Sequence, residues 1–351
     1  MPHKKWSRKI WLEQLFWIAA AIALTLALTV LVALPSGAPP LETLRILFMG
    51  GLGSMSKFGQ VLSVFVPLLL CSAGLLIPFT ARLWNIGIEG QIVLGAVFCT
   101  GALMPFEQGG PQHIALALVA GMLGGALWAL LAGLLKTWGR VHEIFSGLGL
   151  NFVAMGLTIW LIFGPWKRPG VASMSGTETL HVSLWLDRMG GLAASWTALG
   201  VSCAALGLVA WLLLGTQWGL GLKAVGQNPK AARLFDLSPR LRMLQAFALC
   251  GALGGLAGAV QVLGVYHRLL PNISSGYGYT ALLIGMMAGF RILPVPFICF
   301  FFAVLNVGSI QLPLQLGLDS SLSGVIQGLM VLSVFVTQGL RAYVIRRREG
   351  C

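Results

Sequence analysis

Residues 85–91 form the polar stretch with the clearest chemical potential, reading Asn-Ile-Gly-Ile-Glu-Gly-Gln at the start of an apolar run. An ionisable group at membrane depth costs a few kcal/mol, so Glu89 should face a bundle interior or a water-filled path. The two glycines favour a broken helix, as in the discontinuous helices that line solute pathways. Alternatively, Asn85 caps the helix and Glu89 favours its N-terminal dipole. The residues alone leave both interpretations open for Asn85, Glu89 and Gln91.

A second stretch is basic and centres on Asn228, a good N-cap, followed by Pro229, a good first helical residue. The pair predicts a short helix over about 229–236 that presents Ala232 and Phe235 beside basic side chains. A helix this short is marginal in water, so other contacts must hold it. Either a cytoplasmic partner docks on it, or it packs against the helix ends of its own chain.

Polar residues also lie within the later apolar runs, among them Asn306, Ser309 and Gln311. Polar groups on apolar helices commonly hydrogen-bond to neighbouring helices. That role is the alternative to a place on a solute pathway, which we assign to Asn306.

Motifs for catalysis or metal binding are missing from the sequence. There is no GxxxxGK[ST] phosphate loop and no HExxH pair. The six cysteines lie in no metal or redox spacing and are interpreted as small buried apolar residues. We therefore expect no catalytic residue, metal or cofactor, and any ATP must be bound by another subunit.

The composition indicates a membrane protein. The chain is 57% hydrophobic and 9% charged, whereas a soluble domain carries about 25% charged residues. Its apolar runs are continuous and about twenty residues long, which favours spanning helices over barrel strands. The net charge of +13 would suggest nucleic acid in a soluble protein, but here it is typical of basic cytoplasmic loops, and no nucleic acid is expected.

The fold predicted is an all-α polytopic bundle, a single transmembrane domain over residues 1–351 that is membrane-embedded from about 15 to 340. The N-terminal apolar run is interpreted as a retained helix, because it is longer than the core of a signal peptide. Residues 41–57 are too broken by glycine for a span and are placed at the outer surface. Ten spans are expected, at about 15–34, 58–80, 86–104, 114–135, 145–163, 196–214, 243–264, 276–290, 294–312 and 321–340.

The basic residues orient this bundle. With the N-terminus inside, 17 of the 23 Lys and Arg residues fall in inner segments and 6 in outer ones. The positive-inside rule then places both termini in the cytoplasm. Residues 164–195 become an extracytoplasmic loop and residues 215–242 a basic cytoplasmic loop. GxxxG spacings at Gly251–Gly255 and Gly254–Gly258 predict close helix packing.

Two of these stretches resemble a known family. Residues 85–91 resemble the NIGxEGQ motif of permease subunits of nucleoside-type ABC importers, in the larger group that includes branched-chain amino acid and simple-sugar permeases. Residues 219–237 resemble that group's cytoplasmic coupling segment, GxxLRAVGxNPxAAxxxGI, with Lys223 for the usual Arg and Asp236 where Gly is usual. The resemblance covers about residues 40–340.

The resemblance implies an inner-membrane pore of two permease chains, identical or different, surrounded by lipid. It also implies a cytoplasmic ATP-binding subunit and an extracytoplasmic solute-binding protein. Residues 228–237 would dock into the ATPase, and Asn85, Glu89 and Gln91 would line or shape the pathway. The residues assigned to coupling are Asn228, Pro229, Ala231, Ala232 and Arg233.

Three alternatives compete with a nucleoside permease. An ABC permease for simple sugars or amino acids would share the same motifs. An ion-coupled secondary transporter would need a carboxylate at the midplane, for which Glu89 is the obvious candidate, and usually inverted repeats. An intramembrane enzyme would need a nucleophile or metal set, which the sequence lacks.

Overall fold

The fold is all-α throughout residues 8–34, 39–168, 176–188, 190, 192–317 and 321–348, the parts that a computed structural model describes. These ranges contain thirteen α-helices and no strand, which confirms the predicted fold class. The helices are α1 Arg8–Ala33, α2 Pro40–Leu52, α3 Met55–Thr80, α4 Ile88–Leu103, α5 Pro111–Thr137, α6 Glu143–Phe163, α7 Trp196–Gly215, α8 Gln217–Gln227, α9 Pro229–Leu234, α10 Pro239–Gln261, α11 Tyr277–Met287, α12 Val295–Leu316 and α13 Ser321–Arg348.

Seven of these helices are long and apolar enough to cross a membrane, namely α3, α5, α6, α7, α10, α12 and α13. The three other expected spans coincide with shorter apolar helices, at Phe16–Val32, Ile88–Leu103 and Tyr277–Met287. With 1.5 Å of rise per residue, α4 is about 24 Å long and α11 about 16 Å, less than the roughly 30 Å hydrocarbon core. Both are therefore part-length helices.

The ten-span count, the single domain and the sidedness of the loops stay predictions. Residues 1–7 and 349–351 lie outside the described residues, as do 169–175 within the loop expected outside the cell.

The segment predicted to be broken contains a regular helix. α2 spans 13 residues and buries Ile46 and Leu47. It lies so close to α12 that a Cβ atom added to Gly308 would lie 2.0 Å from the carbonyl oxygen of Leu47. At 13 residues α2 is not long enough to span a membrane, as predicted, and its glycines serve close packing: the Cα of Gly308 lies 3.0 Å from a Cβ built on Gly50.

Glycine contacts hold the centre of the bundle, where α4, α5 and α10 meet. A Cβ on Gly255 of α10 would lie 2.1 Å from the carbonyl oxygen of Gly121 in α5. A Cβ on Gly258 would lie 2.0 Å from the carbonyl oxygen of Ile92 in α4. These distances confirm the close packing predicted from the GxxxG spacings.

At its C-terminal end α10 continues as a π-helical turn, Val262–Tyr266, which ends at His267 in the left-handed region with φ of 54°. Residues 176–186, here called the strap, lie against this turn. The strap is hydrogen-bonded through Leu180 N–H to the His267 carbonyl at 2.8 Å and through Leu186 N–H to the Leu263 carbonyl at 3.1 Å.

The ring of His267 secures the strap. It stacks on the strap residue Trp185 with centroids 3.7 Å apart and planes 7° from parallel. Burial lowers the pKa of His267, and the nearby Arg188 cation lowers that pKa further, against an opposing effect of the hydrogen bond with the Leu263 carbonyl. Burial and the neighbouring cation therefore both disfavour the protonated ring.

Candidate functional site

Asn85 and Gln91 form a closed pair of side-chain amides. Asn85 Nδ2 donates to Gln91 Oε1 at 3.0 Å, and Gln91 Nε2 donates to Asn85 Oδ1 at 3.0 Å. Both side chains are buried, and Asn85 Nδ2 also contacts Cys250 Sγ of α10 at 3.1 Å. This reciprocal pairing fixes the start of α4, and a role on the solute pathway stays a prediction for both residues.

Glu89 lies in the first turn of α4, as predicted, but the helix that its carboxylate caps is α11. Its carboxylate accepts the backbone N–H of Gly276 at 3.0 Å and that of Gly278 at 2.8 Å. These groups lie at the N-terminus of α11, whose unpaired N–H groups and dipole favour an anion. Glu89 is only 4% exposed, so it joins two part-length helices within the bundle.

Asn151 of α6 completes this junction and was not singled out from the sequence. Its Oδ1 accepts the Gly90 N–H at 2.8 Å, and its Nδ2 donates to the Ile86 carbonyl at 3.0 Å. The one available signal was an amide inside an apolar run, which is typical of interhelical hydrogen bonding. The 85–91 stretch thus folds into a buried polar network shared by α4, α6, α10 and α11.

A separate cavity of about 210 Å³ lies between α3, the end of α10, α11 and α12. Asn306 lines it, whereas Asn85, Glu89 and Gln91 do not. No charged side chain lines it among the residues that the structure describes. The lining residues are Gln60, Ser63, Val64, Ala193, Gln261, Val265, Tyr266, Tyr277, Asn306, Val307, Ile310 and Gln311.

Gln261, at the end of α10, is the most unusual group in this wall. The residue is 1% exposed, and neither its Oε1 nor its Nε2 has a hydrogen-bond partner. Leaving a buried polar group unpaired costs about 1–3 kcal/mol. Sequence reasoning missed Gln261, because one amide in an apolar helix gives the same signal whether or not it is paired.

Residues 219–237, the predicted coupling segment, contain most of α8, Asn228 and α9, and the predicted capping by Asn228 is confirmed. Asn228 Oδ1 accepts the N–H groups of Lys230 at 3.0 Å and Ala231 at 3.1 Å, and Pro229 is the first residue of α9. The helix ends at Leu234, two residues earlier than predicted. Asp236 follows in the left-handed region with φ of 56°.

The exposed face of α9 differs from the predicted one. Ala232 is only 2% exposed, so the expectation that it is presented outward was wrong. Arg233 is exposed, and the apolar surface comes from Leu234 and Phe235, which are 85% and 79% exposed. Ala231 is half-buried. A short helix must bury one side to be stable, and here Ala232 is on that side.

Taken together, the described residues define a multi-pass membrane protein with a largely apolar cavity that contains amides and no described charged side chain, and a basic segment that exposes apolar side chains. The model of the family described as "branched-chain amino acid transport system / permease component" matches residues 58–335. This match covers more than half of the chain, which therefore belongs to that family.

Relatives of the chain include several named ABC permeases. The glucose ABC transporter permease protein TsgB13 of Haloferax volcanii is 29% identical, over 93% of this chain and 90% of its own length. The guanosine ABC transporter permease protein NupP of Bacillus subtilis is 25% identical, over 92% of this chain and 93% of its own. The nucleoside ABC transporter permease protein NupB of Lactococcus lactis is 23% identical, over 82% of each chain.

These matches confirm the resemblance to nucleoside-type ABC permeases. The chain is a permease subunit of an ABC transporter and a multi-pass protein of the inner membrane. The family match and the named relatives favour this assignment over an ion-coupled secondary transporter.

Proposed function

We propose that the chain forms half of the membrane pore of an ATP-driven importer for neutral polar solutes, with nucleosides as the substrate class. The observation that carries the proposal is the uncharged cavity, whose wall combines apolar residues with the amides of Gln261 and Asn306. A neutral nucleoside offers ribose and base groups that amides can bind as donor or acceptor.

An amino acid suits this cavity poorly. Its ammonium and carboxylate would lose hydration with no charged side chain in the described lining to compensate. The N-terminus of α11, which could otherwise attract a carboxylate, is already bonded to Glu89. A simple sugar remains the second candidate, since the glucose permease protein of H. volcanii is among the relatives.

The complete importer would contain a second permease chain, a cytoplasmic ATP-binding subunit and an extracytoplasmic solute-binding protein. Both termini and residues 215–242 would face the cytoplasm, where the ATP-binding subunit docks on residues 228–237. The exposed Leu234 and Phe235, next to the cationic Arg233, support this surface. Asn228 would stabilise the helix as its N-cap, and Ala232 would pack its buried side against the rest of the chain.

The test begins with purification of the tagged protein from mild detergent after co-expression with candidate ATPase, permease and binding-protein genes. Proteoliposomes of the purified complex would then be assayed for ATP-dependent uptake of radiolabelled guanosine, glucose and leucine. We expect guanosine to be taken up and to stimulate ATP hydrolysis. ATP-dependent uptake of glucose or leucine alone would reject the nucleoside assignment. Uptake by this chain alone without ATP would reject the importer.

A further inference from the structure

We propose that Gln261 is the specificity-determining residue of the cavity and that it reads the hydrogen-bonding edge of a nucleobase. This inference rests on the proposed function and adds a residue and a recognised group to it. It follows from the position of the Gln261 amide, from its unpaired atoms and from its neighbours in the wall.

The unpaired amide is the first observation. Among the side chains that the structure describes, Gln261 has both polar atoms buried and without a partner. Other buried amides of the bundle are paired: Asn85 and Gln91 bond to each other, and Asn151 bonds to the backbone of Gly90 and Ile86. A leucine or methionine at position 261 would fill similar space without this desolvation cost. Helix packing therefore gives no reason for glutamine here, while solute binding does.

The second observation is the local backbone. Gln261 is the last α-helical residue before the π-helical turn Val262–Tyr266, and π-turns occur frequently at functional sites. Val265 and Tyr266 of this turn line the same cavity as Gln261. Tyr277 adds a second ring to the wall, so a planar base can lie against aromatic and aliphatic surface while its edge meets the amide.

The chemistry of a primary amide selects the base edge. Its oxygen accepts one hydrogen bond and its nitrogen donates another, side by side. Nucleobases present an adjacent donor and acceptor in the same way, and glutamine pairs with adenine through two such bonds in DNA recognition. For guanosine the amide oxygen would accept N1–H and the amide nitrogen would donate to O6. Both amide atoms are buried in the structure, so binding of the base would require rotation about the unbranched Gln261 side chain.

The test uses the reconstituted complex and two variants, Gln261→Met and Gln112→Met. Gln112 is an exposed amide near the start of α5 and serves as the matched control. Guanosine uptake would be measured over a range of concentrations, with competition by 1-methylguanosine, in which a methyl group replaces the N1 hydrogen. The thermal unfolding midpoint of each variant would be measured in detergent.

We expect Gln261→Met to raise the half-saturating guanosine concentration at least tenfold, while its unfolding midpoint stays the same or rises. In the unmodified complex, 1-methylguanosine should compete at least tenfold less well than guanosine, and this difference should vanish in Gln261→Met. Gln112→Met should match the unmodified complex throughout.

Three results would overturn the inference while leaving the proposed function intact: equal competition by the methylated nucleoside, an unchanged half-saturating concentration, or a lowered unfolding midpoint in Gln261→Met. The last would indicate interhelical packing instead. Absence of any guanosine uptake by the unmodified complex would reject the proposed function, and this inference with it.

Discussion

At the residue scale, the bundle uses its buried polar side chains in two ways. Glu89 and Asn151 bond to backbone groups of other helices, at 2.8–3.0 Å, and so fix helix ends. Gln261 makes no such bond, and Asn306 lies beside it on the cavity wall. Residues of similar polarity therefore divide into a set that holds the fold and a set on the cavity wall that we propose contacts the solute.

The first prediction concerns Glu89→Gln. The amide keeps one acceptor oxygen but turns its NH₂ group toward one of the two N–H donors, at Gly276 or Gly278. One buried donor is then unpaired, and we expect a loss of about 1–3 kcal/mol of stability. The measurement is the thermal unfolding midpoint in detergent, which should fall, together with the half-saturating solute concentration, which should stay unchanged.

Glu107→Gln, an exposed carboxylate in the loop after α4, is the control and should leave the midpoint unchanged. The opposite pattern, an unchanged midpoint with altered solute affinity, would place Glu89 on the pathway.

The sequence could not assign these roles because they depend on contacts between residues far apart in the chain. The Glu89 carboxylate meets an N–H group 187 residues away, and no local spacing encodes that contact. The cap at Asn228 was predictable because its partners are two and three residues away. Gln261 looked like any amide in an apolar helix, and only the packing around it shows that it has no partner.

At the element scale, contacts between glycines set the distances in the centre of the bundle. The carbonyl oxygen of Gly121 in α5 would lie 2.1 Å from a Cβ atom on Gly255 of α10. The sequence predicted this packing because small residues at GxxxG spacing lie on one helix face. It did not predict α2, since glycines at a buried contact look the same as glycines in a loop.

The second prediction is that Gly255→Ala lowers the yield of folded protein. A methyl group cannot fit at 2.1 Å, so α5 and α10 must move apart, at a cost of about 1–3 kcal/mol for overpacking. The measurement is the fraction of monodisperse protein recovered by size-exclusion chromatography after brief heating.

Gly207→Ala in α7 is the matched control, because nothing lies within 4 Å of its added Cβ. That variant should be neutral or slightly stabilising, since alanine favours a helix more than glycine does. Equal recovery of both variants would show that the helices of the centre are not held at this distance.

At the scale of the whole molecule, the cavity lined by Gln261 and the predicted coupling segment lie on different parts of the bundle. The π-helical turn lines the cavity and the strap lies against this turn, while α8 and α9 carry the basic segment with its exposed apolar residues. Composition and run lengths sufficed to predict the all-α class and the sites of the long helices. They could not show that α4 and α11 are part-length, because a helix end inside a bundle leaves no change in hydropathy.

The third prediction concerns Phe235→Ser. Phe235 is mostly exposed, so its loss should leave the stability of the isolated chain within about 0.5 kcal/mol. If the ATP-binding subunit docks on residues 228–237, we expect its co-purification to fall at least tenfold, together with solute-stimulated ATP hydrolysis.

Val182→Ser removes another exposed apolar side chain, in the strap, and is the control; it should keep both the bound ATP-binding subunit and the solute-stimulated ATP hydrolysis. Full retention of the ATP-binding subunit by Phe235→Ser would place the docking surface elsewhere on the chain.

The described cavity wall has no charged side chain and suits a neutral solute. The neutrality of the solute has an energetic consequence. Moving one elementary charge across the membrane exchanges about 2.3 kcal/mol with each 100 mV of potential. A neutral solute in a wall of amides, tyrosines and aliphatic residues carries no such charge. The voltage across the membrane then neither drives nor opposes its passage. Uptake of the solute would carry no net charge across the membrane. A cell without a membrane potential could therefore still accumulate the solute as long as ATP remains.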